Sequence, residues 1–408
     1  MTVLAARLLG AATALAASAA AAAPIPNFSI AVVPDTQIYA YSEANESNPD
    51  SPANALLAAF PDAFAGLTDD IMSAQTKYLR DNAGASNLKF VTHVGDITQG
   101  TIDRDEAAPE ARAALPQHDL AGQWDVARNA YQVLKDAGIP FSVAIGNHDD
   151  SEDGYNDTAL WREHFGSTSG FFTGLDYHLG FSDNERNSAQ LIDVGHGQSL
   201  LHLSLDYLET QANQDERAAF AQQVIDANPG VPTIVTTHKN VDETGSFQSA
   251  GRDLIDRVVT PNEEIFLVLN GHYTTSPFEA AFAAGIDGSA EQVVVTTNAA
   301  GETVYHVLAN YQYSVPLASG WLRFVEFDFL NGELDFTTVS PLGLDDRIGA
   351  AMAFGAMDEF PFGTTSRFSL PIDFASAGFN ATTTPIPLPA PAWMLAAAVG
   401  ALVGLRRR

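Results

Sequence analysis

Residues 139–150 read "IPFSVAIGNHDD", an apolar run that stops at a glycine and gives way to four polar side chains. The run has the length and the β-branched, aromatic content of a short buried strand. In an α/β sheet the loops at the carboxyl ends of the strands converge on one crevice, so the residues just past a buried strand are the first place to look for function. The tetrad Gly-Asn-His-Asp has a chance expectation on the order of a few in a thousand for a chain of this length at average composition. It is therefore the point from which the rest of the sequence is read.

Four other apolar runs end in the same way. "NFSIAVV" (27–33) leads into "PDTQ", with Asp35 and Gln37, and "LKFVTHV" (88–94) leads into "GDITQG", with Asp96. "VPTIVTT" (231–237) is followed by His238, and "EIFLVLN" (264–270) by "GHYT", with His272. Asp and His bind hard or borderline divalent cations, and the carbonyl oxygens of Asn and Gln complete such sites. Gly95, Gly146 and Gly271 precede candidate ligands, where a glycine lets the backbone turn sharply off a strand.

Between these runs the spacing predicts helices around 70–82, 121–136, 211–227 and 249–258, with a further strand at 199–205. That alternation argues for an α/β domain with much of its sheet buried. From about residue 291 onward the pattern is strands alone: "QVVVTTN", "TVYHVLANYQY", "WLRFVEFDF" and "GELDFTTVS". These read as a second, mostly antiparallel set. Residues 345–384 are weakly patterned, as an edge strand or wrapping segment followed by a linker would be.

The ordered set Asp-x-Gln, Gly-Asp, Gly-Asn-His-Asp, His and Gly-His resembles the calcineurin-like metallophosphoesterases over roughly residues 27–340. The resemblance implies a four-layer α/β/β/α sandwich, assigned here to residues 24–344. It also implies two divalent metal ions (Mn, Fe or Zn) and hydrolysis of phosphate mono- or diesters by a metal-activated hydroxide. Carried over position by position, Asp35 and Gln37 serve the first metal and Asp96 bridges both. Asn147, His238 and His272 hold the second. His148 stands beside the scissile phosphate and protonates the leaving group, a role suited to a side chain that titrates near neutral pH.

Three positions depart from the family's common pattern. Gln37 offers an amide oxygen where Asp-x-His is usual. Thr274 stands where a second imidazole would ligate the first metal, and a neutral hydroxyl is a poor ligand for a borderline cation. Gln99 occupies a place where many relatives carry an acid that orients the catalytic His, which leaves His148 less well oriented or passes that part to Asp149. Thr274 and Gln99 also raise a rival reading, a non-catalytic surface or matrix binding protein with a partial metal site. Other residues carry less: His93 reads as a core or supporting residue, Lys239 and Asn240 as neighbours of the site, and Tyr39 and Tyr41 as candidates for its mouth.

The ends of the chain differ from its middle. Residues 1–23 carry Arg7, a Leu- and Ala-rich stretch and an Ala-x-Ala run before Pro24, the pattern of a secretory signal. Residues 385–408, "PIPLPAPAWMLAAAVGALVGLRRR", offer about sixteen apolar residues with Trp393 near the front and three arginines behind. A membrane span needs roughly 17–25 residues, so this one is short but usable, with its basic end cytoplasmic. The segment resembles PEP-CTERM sorting signals of the VPLPA type. That implies a membrane anchor, processing by an exosortase-type enzyme, and delivery to the cell surface or matrix of a Gram-negative bacterium. The chain has no cysteine, so thiolate ligands and a cysteine nucleophile are excluded and stability must come from a packed core. Its net charge of −30 opposes non-specific binding to nucleic acid. Polyanionic substrates are disfavoured too, unless cations supply positive charge locally.

Overall fold

The computed structural model describes residues 25–44, 71–100, 120–149, 158–275, 288–314, 320–342 and 367–379. The expected secretory signal (1–23), the expected C-terminal span (385–408), residues 45–70 and 101–119 and the acidic run 150–157 lie outside the described residues. Among the described residues, no helix is long and apolar enough to cross a membrane.

Two sheets carry the architecture. The first has strand order β13-β12-β11-β1-β2-β3, with β1 at Phe28–Val33, β2 at Leu88–His93, β3 at Phe141–Val143, β11 at Leu322–Asp328, β12 at Glu333–Val339 and β13 at Arg367–Pro371. The second has order β4-β5-β6-β7-β8-β10-β9. Its strands are β4 (His178–Phe181), β5 (Ser188–Gly195), β6 (Gln198–Leu205), β7 (Thr233–Thr237), β8 (Ile265–Asn270), β9 (Ala290–Thr297) and β10 (Thr303–Asn310). Strands β1, β2 and β3 run parallel, as do β6, β7, β8 and β10.

The layers follow from which side chains share a core. In β1, Ala31 and Val33 pack with residues of α1 (Gln37–Ala44), α2 (Ile71–Asn82) and α3 (Leu120–Asp136), among them Leu79, Trp124 and Leu134. The alternate residues Phe28, Ile30 and Val32 face the second sheet, against Ile192, Ile234 and Phe266. A strand buried on both faces has no polar side, which is why its sequence reads as a continuous apolar run. On the far side of the second sheet, Leu201, Leu203 and Val235 pack against Ala221 and Val224 of α5 (Gln211–Ala227) and Leu254 of α6 (Ser249–Leu254). The order is thus helices, sheet, sheet, helices: the α/β/β/α sandwich. The short α4 (Ala159–His164) places Trp161 and Phe165 in the first of these cores.

The late strands do not form a set of their own. β9 and β10 extend the second sheet, β10 pairing in parallel with β8, whereas β11 pairs antiparallel with β1 and brings β12 and β13 into the first sheet. Local patterning reports that a strand is buried, and says nothing of which neighbour it pairs with. The predicted helix at 249–258 ends at Leu254 and continues as a π-helical turn, Ile255–Val259. The predicted strand at 139–145 is ladder-bonded over only three residues. Beyond β13, Phe374, Ala377 and Phe379 turn into the core between the sheets.

That core holds one polar island. His202 of β6 lies between Gln190 Oε1 (2.7 Å from Nδ1) and the hydroxyls of Thr236 (2.9 Å) and Thr92 (3.2 Å), and Thr92 reaches Ser142 at 3.0 Å. These bonds join strands of both sheets. Burial pushes the His202 imidazole down to about 3, so it is neutral when folded. The unfolded chain takes up a proton below about 6.5 that the folded chain refuses, so this group's contribution is fully present above that pH and is lost as pH falls toward the folded value. At about pH 5 the cost for one such histidine is about 2 kcal/mol. Denaturant unfolding at about pH 7.5 and about pH 5 should therefore show that His202→Gln, which keeps polar partners for the threonines, loses about 2 kcal/mol less than the parent over that interval. An identical loss in both proteins would refute the assignment.

Candidate metal centre

The carboxyl ends of the parallel strands from both sheets meet at one buried point. β1 delivers Asp35 and Gln37, β2 delivers Asp96, and β3 delivers Asn147 and His148 on a single 3-10 turn. β7 delivers His238 and β8 delivers His272. The structure thus gathers all seven residues singled out in the sequence. One ligand atom from each of Asp96, His238 and His272 lies within 4.8 Å of the others.

Close approach of backbones makes this gathering possible. A Cβ on Gly146 would lie 2.1 Å from the Asp96 backbone nitrogen and from its Oδ1. One on Gly271 would lie 2.1 Å from Asp35 Oδ2, and one on Gly95 would lie 2.7 Å from His238 Nδ1. Of the three, only Gly95 has a positive φ, +101°. Gly146 and Gly271 are therefore needed for room rather than for the sharp turn anticipated from the sequence. The left-handed backbone is taken up by the ligands themselves, Asp96 at φ 55° and His272 at φ 71°. Each such residue costs on the order of 1–3 kcal/mol, strain that persists only where the surroundings over-determine it.

The hydrogen bonds say which atoms are left for a cation. His238 Nδ1 stands 3.1 Å from the carbonyl of Val94, which can only accept, so Nδ1 carries the hydrogen and Nε2 is the nitrogen left to meet a cation. Around that Nε2 lie Asn147 Oδ1 at 3.0 Å, Asp96 Oδ1 at 3.1 Å and His272 Nδ1 at 3.2 Å. These four atoms are all potential ligands, and a cation among them would draw on each. Gln37 donates from Nε2 to Asp96 Oδ2 at 3.2 Å, and its Oε1, fully buried, has no partner. A buried amide oxygen without a donor is costly, and a metal ion is one way to satisfy it. The residues present fit a divalent cation.

The electrostatics agree. Burial and the neighbouring Asp96 charge push the Asp35 carboxyl well above its usual range, against the backbone N–H of His272, which donates to Oδ1 at 3.0 Å. Burial opposes ionisation of Asp96 as well, but His238, His148 and His272 outweigh it and hold that carboxyl low. Burial, then repulsion by His238 and by Lys239, keeps His272 well below the usual histidine value, and a neutral imidazole is the form that ligates.

His148 is oriented by the main chain and not by Asp149, the group proposed from the sequence. Its Nδ1 lies 2.9 Å from the backbone carbonyl of Gln99, so the main chain supplies the acceptor that an acidic side chain supplies elsewhere. The backbone N–H of His148 donates to Asp96 Oδ1 at 2.9 Å. Asp149 instead accepts from Ile97 N, Thr98 N, Thr98 Oγ1 and Gly146 N and clamps the β2 and β3 loops together. Burial and the charge of Asp96 raise its carboxyl to about 8 despite those donors.

Supporting residues complete the loops. His93 accepts from Gly95 N at 3.0 Å, which leaves Nε2–H to donate to Thr36 Oγ1 at 2.9 Å, and Thr36 donates in turn to the carbonyl of Ile97. Asn240 is buried against His306, 2.9 Å away, and does not face the cluster, whereas Lys239 lies over the ring of Tyr207, itself 5.5 Å from the His238 ring. Tyr207 follows β6 and carried no signal in the sequence. Tyr39 is packed into the helix-side core, not at the mouth of the site, and the side chain of Tyr41 lies outside the described residues.

Comparison with known proteins bears on the same region. The chain is similar to the uncharacterized protein YvnB of Bacillus subtilis, 27% identical over 299 residues, which is 73% of this chain and 20% of that one. It thus spans about a fifth of the length of that relative. Among solved structures it is similar to a dimetal phosphatase from Danio rerio, 10% identical with a TM-score of 0.43, covering 78% of this chain and 97% of that one. It is also similar to GAP50, the anchor in the inner membrane complex of Plasmodium, 12% identical with a TM-score of 0.40, covering 89% and 99%. The model of the calcineurin-like phosphoesterases matches residues 28–274, more than half of the 408 and inclusive of every loop that meets at the cluster. On that span the chain belongs to the calcineurin-like phosphoesterase family.

Proposed function

We propose that this protein is an exported metallophosphoesterase that hydrolyses phosphate mono- or diesters. The observation that carries the reading is the convergence of potential ligand atoms from Asp96, Asn147, His238 and His272 on one buried point, with His148 beside it. Asp35, Gln37 and Asp96 would hold a first cation, and Asp96, Asn147, His238 and His272 a second. Divalent cations so held supply a nucleophile at neutral pH and neutralise charge on the phosphoryl oxygens.

The chain's own residues account for the other requirements of the reaction. With Nδ1–H given to the carbonyl of Gln99, Nε2 is the atom of His148 available to substrate, and it hands a proton to the departing oxygen. The imidazole is 15% exposed, enough for substrate to reach it. Lys239 brings positive charge beside His272 in an otherwise acidic protein and favours an anionic substrate there. For location, the signal-like residues 1–23 and the sorting-signal-like residues 385–408 support delivery to the bacterial surface or matrix.

Three outcomes are expected. Protein loaded with Mn, Fe or Zn should release phosphate from aryl phosphate mono- or diesters, and His148→Ala should lower kcat by roughly 10²–10⁴-fold while retaining metal. Absence of turnover with every metal would favour the binding-protein reading that Thr274 raises. Gly146→Ala should fail to hold metal, because the added methyl collides with Asp96; a normal metal count in that variant would contradict the close-approach explanation. Deleting residues 385–408 should release the protein into the medium, and unchanged cell association would remove the anchor from the proposal.

A further inference from the structure

We infer that the two cation positions are chemically unequal: Asp35, Gln37 and Asp96 form an oxygen-only position that selects a hard ion such as Mn²⁺, whereas Asn147, His238 and His272 with Asp96 form a position that retains a borderline ion such as Zn²⁺. The inference rests on the metal-dependent reading of the site and concerns which ion goes where.

The donor atoms decide it. On the Asp35 side, the atom of Gln37 left for a ligand is Oε1, since Nε2 is committed to Asp96 Oδ2 and Oε1 is buried without a partner. Asp35 offers carboxylate oxygens that lie against the backbone N–H of His272. No imidazole among the described residues remains to join them. His93 accepts from Gly95 N at one nitrogen and bonds Thr36 with the other. His148 Nδ1 is held by Gln99 and its Nε2, 3.9 Å from Asp96 Oδ2, is the atom left to substrate, while His238 and His272 turn nitrogens toward each other and Asp96. Thr274, two residues beyond His272, brings a hydroxyl, and the chain has no cysteine. Carboxylate and amide oxygens suit Mg²⁺ and Mn²⁺, and imidazole suits Zn²⁺, so one shared carboxylate joins two positions of opposite preference.

The difference is large enough to read by metal content. Divalent affinities rise from Mn²⁺ to Zn²⁺ at any mixed site, so the comparison needs a buffer that holds free Zn²⁺ low with Mn²⁺ in excess. Chelated full-length protein equilibrated in that buffer should carry about one zinc and about one manganese per chain by elemental analysis. The manganese should give an electron paramagnetic resonance signal that is lost on brief dialysis while the zinc stays. Thr274→His and Gln37→His each add a nitrogen to the oxygen-only side and should raise zinc toward two per chain at the expense of manganese. Two tightly held zinc ions in the parent, or manganese at both positions, would overturn this inference and leave the metal-dependent reading standing. No bound metal would overturn both. The parent's own metal content decides the matter even where a variant does not fold.

Discussion

Asp96 is a carboxylate buried almost completely between two sheets, with no lysine or arginine against it among the described residues, and the rest of the site is arranged around that fact. It sits in the left-handed region at φ 55°, and the β3 loop can lie against it only because residue 146 has no side chain. Its oxygens accept from His148 N and Gln37 Nε2 and approach His238, so three other strand ends are positioned by it. Burying such a charge in an apolar sandwich is expensive unless it is paired. The histidines around it, His238, His148 and His272, outweigh that cost and keep the carboxyl ionised.

The sandwich explains why five loops can reach one point. Parallel strands put their carboxyl ends on one edge, and stacking two partly parallel sheets brings two such edges together. Asp35, Asp96, Asn147 and His148 come from one sheet, and His238 and His272 from the other. A hydrogen-bonded framework at the loop bases then removes freedom. Thr36 N donates to the Asp96 carbonyl at 3.0 Å, Asp149 ties the β2 and β3 loops, and Asn270 ties the end of β8 to Val241. Rigidity of this kind holds ligands at productive spacing before any cation arrives.

Much of this was legible in the sequence, for a definite reason. Strands buried on both faces announce themselves as apolar runs, and ligands at their ends are polar residues where a hydrophobic pattern stops; both signals are local. What was not legible depends on partners. The pairing of β11 with β1 and of β10 with β8 joins segments far apart in sequence, and no pattern within a strand names its neighbour. The half-buried β4 and the short α4 carry too few residues for a period to show. At the site, the orienting role of Gln99 is played by its backbone carbonyl, which every residue possesses, so the side chain at that position misled. Asp149 was visible as an acid, but its function as a clamp exists only once Gly146, Ile97 and Thr98 present their N–H groups to it.

The charge of the chain gives the site its setting. A protein at −30 repels anions at long range, yet the proposed substrates are anions. In the metal-free state burial and mutual repulsion already push Asp35 and Asp149 upward, which limits the negative charge the cluster carries beside Asp96. Cations at this point, with Lys239 beside them, reverse the sign of the potential over a small region and leave the acidic exterior unchanged. At about 0.1–0.15 M salt, charge beyond about 8–10 Å is largely screened. On the proposed function, short-range attraction by bound cations would then govern capture of substrate, and the acidic surface would serve solubility. The same separation of scales would let Gln37 and Thr274 alter the metal chemistry at one position, as inferred above, without disturbing a sandwich whose stability lies in its apolar layers.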